Sequence, residues 1–440
     1  MCRYRPSSLE EVEDLETYVE NGNHPCSIGD TLSNGRYQIL HKLGFGGSST
    51  VWLARDRGPH SLPASPTRAL VTMKIMAASL STRPPAEVQE ITIPERLCSR
   101  LARTNVGLVR NIQSVQDCFF HNGPNGHHLC IVSPVLGPSV LAIEDFLSVE
   151  HHTRIRKVIA QKIAKEAAVA LEGIHSAGVV HGDFTTSNLL LALQPGVSHW
   201  TDREVYETLG KPTTEAVVTQ GNQSPIHAPR EVVEAASIDR LSSYLSFSVV
   251  VSDFGQSFLA KGGLPKHLRP ATVTHYTPPE MRFEGRVDFA SDIWMLACAI
   301  YEIRAGHSLF DSFLRSDSVV TMEMVSALGR LPDPWWSKFD SRHKWFNDSG
   351  EPRPVEEQER DGVMLICEKE TLRQMVQRIG RNEEPPVWGT KWDPLTEALG
   401  PLSEGETDLL TDLLEKTLRY NPAERLTIQE VIKHPWFDSK

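Results

Sequence analysis

The chain has 440 residues, with 45 Lys+Arg against 56 Asp+Glu and a net charge of −11; 40% of it is apolar and 23% charged, an ordinary globular balance with length enough for a large core. That acidity argues against a general nucleic-acid binder, and the N-terminus MCRYRPSSLEEVEDLE turns acidic where a signal peptide needs an apolar stretch. No apolar run approaches the ~18 residues of a membrane span, and the seven scattered cysteines, with no C-x-x-C pair, point to a reducing compartment rather than a disulfide framework or a zinc site.

In chain order, residues 1–35 read as an acidic N-terminal extension, with Glu10, Glu11, Glu13, Asp14, Glu16, Glu20 and Asp30 against two arginines. Arg36–Leu43 and Thr50–Arg55 have the β-branched and aromatic content of strands, and the glycine cluster between them predicts a hairpin with a flexible turn. Gly58–Ala69 is rich in Pro and Ser and reads as a loop, and Ala69–Met76 as a further strand. Over 154–177, Ile155, Val158, Ile159, Ile163, Ala167, Ala170, Leu171 and Ile174 recur at spacings of three and four, which predicts an amphipathic helix ended by Gly178. Residues 195–245 carry little periodicity and read as an insertion. An apolar strand pattern returns at Leu245–Val251, and helical patterns dominate from Ala290 on, with a Pro- and acid-rich interruption at 350–362. Strands precede helices, so the expected class is α+β, with a small β-rich lobe and a larger, mainly helical one.

Four segments carry candidate chemistry. In Leu43-Gly44-Phe45-Gly46-Gly47-Ser48-Ser49-Thr50-Val51, glycines between two strands let backbone N–H groups approach a polyphosphate with no side chain in the way; such a hairpin alone is more often just a turn. Lys74 stands inside an apolar strand and needs an anionic partner or access to solvent. Glu90 is the acid expected to orient it, with Glu95 the alternative, and Pro94 disturbs the helix that this pairing wants. His181-Gly182-Asp183-Phe184-Thr185-Thr186-Ser187-Asn188 puts an Asp and an Asn five apart on one loop, where the Asp can accept a hydroxyl proton and the Asn can bind a divalent metal; singly, such residues are ordinary turn formers. Val249-Val250-Val251-Ser252-Asp253-Phe254-Gly255 places Asp253 at the end of an apolar strand, where it can chelate Mg²⁺.

In this order the four segments resemble the eukaryotic protein kinases. Thr277-Pro278-Pro279-Glu280 is similar to the A-P-E position, Asp292-Ile293-Trp294 to the D-x-W of the following helix, Arg425 to the arginine that pairs with that Glu, and His434-Pro435-Trp436-Phe437 to the usual domain end. Tyr18, His24-Pro25, Ile28-Gly29-Asp30, Gly35-Arg36-Tyr37, Lys42-Leu43-Gly44 and Ser49-Thr50-Val51-Trp52-Leu53-Ala54 together resemble the SR-protein kinases, and the chain is identified as a divergent, fungal-type member. Those kinases also carry a long spacer before D-F-G; Asn188 and Asp253 are 65 apart here, and 195–245 would be a short form of it.

The resemblance implies a bilobal kinase domain over 36–437, with an N-lobe at 36–136 and a C-lobe at 137–437 that includes the insertion. It implies ATP and Mg²⁺ as cofactors. Leu43, Gly44, Phe45, Gly46, Gly47, Ser48, Ser49, Thr50 and Val51 would cover the phosphates, Lys74 oriented by Glu90 would hold them, and Pro134 and Leu136 would hold adenine. Asn188 and Asp253 would bind the metal, and Asp183 would act as catalytic base. The expected reaction transfers the γ-phosphoryl of ATP to Ser/Thr hydroxyls of Arg/Ser-rich proteins, by a monomer in the cytoplasm or nucleus with no direct nucleic-acid or membrane contact.

Four positions depart from the pattern. Gly182 replaces the Arg of H-R-D, so activation-loop phosphorylation has no obvious receiver; Thr185 replaces a Lys near the γ-phosphate; Ser133 is a small gatekeeper; and Val273 replaces a Thr, between Thr272 and Thr274. Two other readings stay open on sequence: a small-molecule phosphotransferase like the aminoglycoside and choline enzymes, which share H-G-D followed by Asn, and a weakly active pseudokinase, for which Thr185 is the support.

Overall fold

The structure is a computed structural model, described here over residues 2–58, 69–147, 153–220, 226–310, 316–381, 395–398 and 400–439. The chain forms two compact units, one of residues 1–98, 113–137 and 191–246, the other of 99–112, 138–190 and 247–440. These units differ from the lobe boundaries expected from sequence. The N-terminal segment and the stretch 191–246 join the first unit, whereas 99–112 joins the second.

The first unit is built on a six-stranded antiparallel sheet: β1 (Thr31–Leu32), β2 (Tyr37–Gly46), β3 (Ser49–Asp56), β4 (Leu70–Met76), β5 (Asp117–Gly123) and β6 (Gly126–Pro134), in the order β1-β2-β3-β4-β6-β5. β2 runs further than its apolar content suggested, to Gly46, which pairs with Ser49 across a two-residue turn. The loop expected over Gly58–Ala69 lies, except for its ends, outside the described residues. Alternation along β4 sends Val71, Met73 and Ile75 into one core, with Ile39, Trp52 and Val132, and leaves Lys74 on the opposite face.

Two sequence-remote segments complete that first core: Cys26 and Leu32 from the N-terminal segment, and Val233 from the stretch read as an insertion. Val205 and Leu209, from the helix Asp202–Leu209, pack on Leu40, Leu53 and Leu70. Tyr4, Leu15 and Tyr18 pack on Ala228 and Val232. The segment 195–245 looked featureless because its apolar positions follow no period, yet Val205, Leu209 and Val233 are buried against the sheet.

At the centre of this packing lies Lys42, whose side chain is fully buried. Its Nζ donates to the Val233 carbonyl at 3.0 Å and pairs with Glu13, which also accepts from the Tyr18 hydroxyl. Tyr18 and Lys42 are among the residues that carried the subfamily resemblance, and this contact gives them a shared physical role.

The second unit is mainly helical. The helix predicted over 154–177 runs from Lys157 to Ser176; Thr153–Ile155 instead forms a short strand paired with Thr396–Ala398. Val158, counted on the apolar face, is 70% exposed, while Ala160, Ile163, Ala167, Leu171 and Ile174 are buried. Helix Phe289–Ala305 is buried from Ser291 to Ala305, the pattern of a helix surrounded by core on all sides. Among the described residues, no helix is long and apolar enough to cross a membrane.

Candidate active site

Each unit contributes its own set of residues. In the first, Lys74 on β4 pairs in register with Val51 and Ile131, and its Nζ donates to Glu90 Oε1 at 2.5 Å. Glu90 lies in the first turn of the helix Gln89–Thr104, which continues through Pro94 without a break. The strand alternation and the start of this helix bring the two side chains together, so the buried-lysine problem posed by the sequence is met by an ion pair.

On the β2–β3 hairpin, a Cβ placed on Gly44, Gly46 or Gly47 would have nothing within 4 Å. These positions do not need glycine for packing, and their bare backbone leaves the room that a phosphate chain requires. Phe45 is 38% exposed at the hairpin end, and the Lys42 ammonium lies 5.0 Å from its ring centre. Pro134 ends β6, and the Leu136 backbone makes no hydrogen bond among the described residues, which suits an adenine edge. The Ser133 hydroxyl accepts from Gln113 Nε2 at 3.2 Å.

In the second unit, the catalytic-loop backbone is held from below by Asp292. Its two carboxylate oxygens accept from the His181 and Gly182 N–H groups, each at 2.8 Å, and one also contacts His175 Nε2 at 2.9 Å. Gly182 has φ +81°, and a Cβ there would come 2.7 Å from the Gln256 carbonyl oxygen. The residue that replaces the expected arginine is therefore set by local backbone geometry in this chain.

Asp183 sits above this platform. Its Oδ2 accepts from Asn188 Nδ2 at 2.9 Å, and its Oδ1 accepts from the Thr272 hydroxyl at 2.5 Å. Burial raises the Asp183 pKa; the Thr272 bond, His181 and the Asn188 bond act against that, and neighbouring Asp253 adds to it. Asn188 Nδ2 also donates to the Asp183 carbonyl at 2.8 Å. With both of these partners acceptors, the amide must present its nitrogen to them, and Oδ1 is left as the oxygen for a cation.

Asp253 has left-handed backbone geometry, φ 55° and ψ 76°, and accepts from Gly255 N–H at 3.2 Å. A carboxylate and an amide oxygen are the hard donors that Mg²⁺ takes, with water and phosphate oxygens completing its shell, so these residues fit the ion. Thr185 is buried, and its hydroxyl is 2.7 Å from Ser187 Oγ, so it brings no positive charge to the loop.

Sequence reasoning missed Thr272, because attention fell on the missing threonine at Val273; the hydroxyl is supplied from one position earlier. Glu280 and Arg425 make the buried pair expected from the resemblance, at 2.8 and 2.7 Å, with Ser291 Oγ also donating to Glu280.

The protein kinase domain profile matches residues 37–437. A serine/threonine-protein kinase SRPK from Physarum polycephalum is 25% identical over 441 aligned residues, covering 97% of this chain and 91% of that protein. The protein kinase dsk1 of Schizosaccharomyces pombe is 29% identical, covering 78% of this chain and 75% of its own length. The serine/threonine-protein kinase AFC1 of Arabidopsis thaliana is 24% identical, over 95% and 74% respectively.

Proposed function

The chain belongs to the protein kinase family and is a serine/threonine kinase similar to the SR-type enzymes; from that premise we propose that it phosphorylates Ser/Thr residues in Arg/Ser-rich proteins, with the residue roles that follow. The observation that carries the reading is Asp183 held between Asn188 and Thr272, at 2.9 and 2.5 Å, on a backbone fixed by Asp292. Bound ATP with Mg²⁺ would supply the transferable phosphoryl group and neutralise its charge.

Lys74, kept extended by Glu90, would neutralise the α- and β-phosphates. The bare hairpin backbone at Gly44, Gly46 and Gly47 would donate N–H groups to the phosphates, and Pro134 and Leu136 would receive adenine. Asn188 Oδ1 and the Asp253 carboxylate would hold the metal. Asp183 would orient the acceptor hydroxyl and take its proton at a carboxylate oxygen. Catalysis on this scheme is positioning and charge stabilisation rather than covalent chemistry by the protein.

Thr185 lowers the positive charge available to the transferring group, so we expect turnover below that of a kinase with Lys there. Gly182 leaves no arginine to read a phosphorylated activation loop, so we expect activity without that modification. The kinase domain would span 36–437, with 1–35 and 195–245 as additions built onto its first unit. Seven free thiols suit a cytoplasmic or nuclear setting.

The test is phosphoryl transfer from radiolabelled ATP to an Arg-Ser peptide, with small aminoalcohols and buffer as comparators. Peptide labelling is expected, and Asp183→Ala should cut turnover about 10³-fold while nucleotide affinity stays near wild type. Full turnover in that variant would move the base elsewhere.

A further inference from the structure

The N-terminal segment carries a feature that the mechanism does not use. Arg3-Tyr4-Arg5-Pro6-Ser7-Ser8 puts two arginines ahead of two serines, at the start of the segment whose Tyr4, Leu15 and Tyr18 pack on Ala228 and Val232. Arg5 N–H donates to the Val218 carbonyl at 2.9 Å, and Ala235 N–H donates to the Glu11 carbonyl at 2.9 Å. Between those two points, residues 6–10 make no backbone–backbone hydrogen bond among the described residues.

One carboxylate oxygen holds this stretch. Glu215, on the short strand Thr214–Ala216, accepts at Oε2 from the Ser7 hydroxyl at 2.8 Å, the Ser8 N–H at 2.7 Å and the Ser8 hydroxyl at 2.8 Å. The Ser8 and Ser7 bonds hold the Glu215 carboxyl below the usual range, so it is charged at neutral pH. The two serines differ in access. Ser8 is exposed, whereas Ser7 is half-buried and its Oγ also accepts from Leu9 N–H at 3.1 Å. Arg5, three before Ser8, is exposed, and Arg3 is tied to Glu16 at 2.8 Å.

We propose that Ser8 is a phosphorylation site of this chain, modified by a second copy of the same enzyme, and that the phosphate releases the N-terminal segment from Glu215. The inference rests on the protein-kinase reading above, since Arg5 and Ser8 make the segment a short Arg/Ser substrate. In the step, Ser8 Oγ bonds to the γ-phosphorus of ATP as the bond from that phosphorus to the β–γ bridging oxygen breaks, the hydroxyl proton passes to Asp183 of the acting copy, and ADP leaves. The free hydroxyl donates to Glu215; the phosphate that replaces it brings acceptor oxygens and about −1.5 to −2 charge against the carboxylate. Attraction becomes repulsion at a point where no backbone bond resists it. Chain ends open locally at low cost, which gives the second copy access to Ser8 before modification.

The experiment uses full-length chains, radiolabelled ATP with Mg²⁺ and the Asp183→Asn chain as acceptor, with an Arg-Ser peptide labelled in parallel. Wild type should place phosphate on Ser8 of the acceptor, located by mass spectrometry, and Arg5→Ala in the acceptor should cut that labelling about 10-fold or more. Amide hydrogen exchange then compares modified and unmodified acceptor. Phosphate should speed exchange over residues 3–9 by about 10-fold or more. Glu215→Gln keeps an acceptor oxygen and loses the charge. Unmodified, that acceptor should exchange within about 3-fold of its parent, and phosphate should speed it by less than about 3-fold.

A labelled peptide beside an unlabelled Ser8 overturns the proposal and leaves the kinase reading standing. So does Ser8 labelling that Arg5→Ala leaves intact. Exchange that phosphate leaves unchanged, slows, or speeds equally in the Glu215→Gln chain overturns it as well, as does an unmodified Glu215→Gln chain that already exchanges about 10-fold faster. Failure of wild type to label either peptide or acceptor overturns the kinase reading and this proposal together.

Discussion

The two units bury charge in contrasting ways. In the second, Glu280 and Arg425 are 0% and 1% exposed and satisfy each other, with Ser291 donating to Glu280 and the Ala290 and Arg419 carbonyls accepting from Arg425. Asp292 is likewise spent on the loop backbone beside it. Glu280, Arg425 and Asp292 all belong to motifs that the sequence displays. In the first unit, the buried Lys42 is satisfied by Glu13 and by the Val233 carbonyl, from segments outside the sheet. The lesson is that the helical unit stabilises its site with parts shared across the family, whereas the sheet unit depends on its own additions, the N-terminal segment and the 191–246 stretch.

That contrast can be broken from either side. Arg425→Ala leaves Glu280 buried without its cation and should cost about 4 kcal/mol of stability, read as a shifted denaturant midpoint; a loss under about 1 kcal/mol would remove the pair from the account. Lys42→Met should cost about 3 kcal/mol by stranding Glu13, and the double variant Lys42→Met with Glu13→Gln should recover at least half of that. An equal loss in single and double variants would show that the contact is not coupled, and the first unit would then owe its additions nothing.

The smallest effect sharpens the catalytic side. Thr272→Val removes a hydrogen bond that favours the Asp183 carboxylate, so the Asp183 pKa, already raised by burial, should rise further. The base form is lost as pH falls, so the acid limb of kcat/KM should move to higher pH, with about a 10-fold drop near neutrality. A uniform loss with an unmoved pH profile would make Thr272 structural only.

Legibility followed the same division. The catalytic-loop residues and Asp253 could be read because their chemistry is written in short, contiguous spacings. The Lys74–Glu90 contact could be anticipated because strand alternation and helix start are local properties, although Pro94 argued against the helix. What could not be read was set by tertiary packing. Thr153–Ile155 became a strand because Thr396–Ala398 offered it a partner. Thr272 reached Asp183 from 89 residues further along the chain. Val205, Leu209 and Val233 became core because a sheet face was there to receive them.

The Lys42 contact also orders events in time. During synthesis the strands β1 to β6 are complete by residue 134, yet the carbonyl that meets Lys42 belongs to Val233, 191 residues downstream of it. Until then the nascent sheet carries an ammonium in its core with only part of its solvation replaced, and the apolar face awaiting Val233 stays uncovered. Long-range closures of this kind slow folding and lengthen the exposure of unfinished surface. The sheet unit therefore finishes only after the catalytic loop at 181–188 has already been made, although most of its strands come first in the chain.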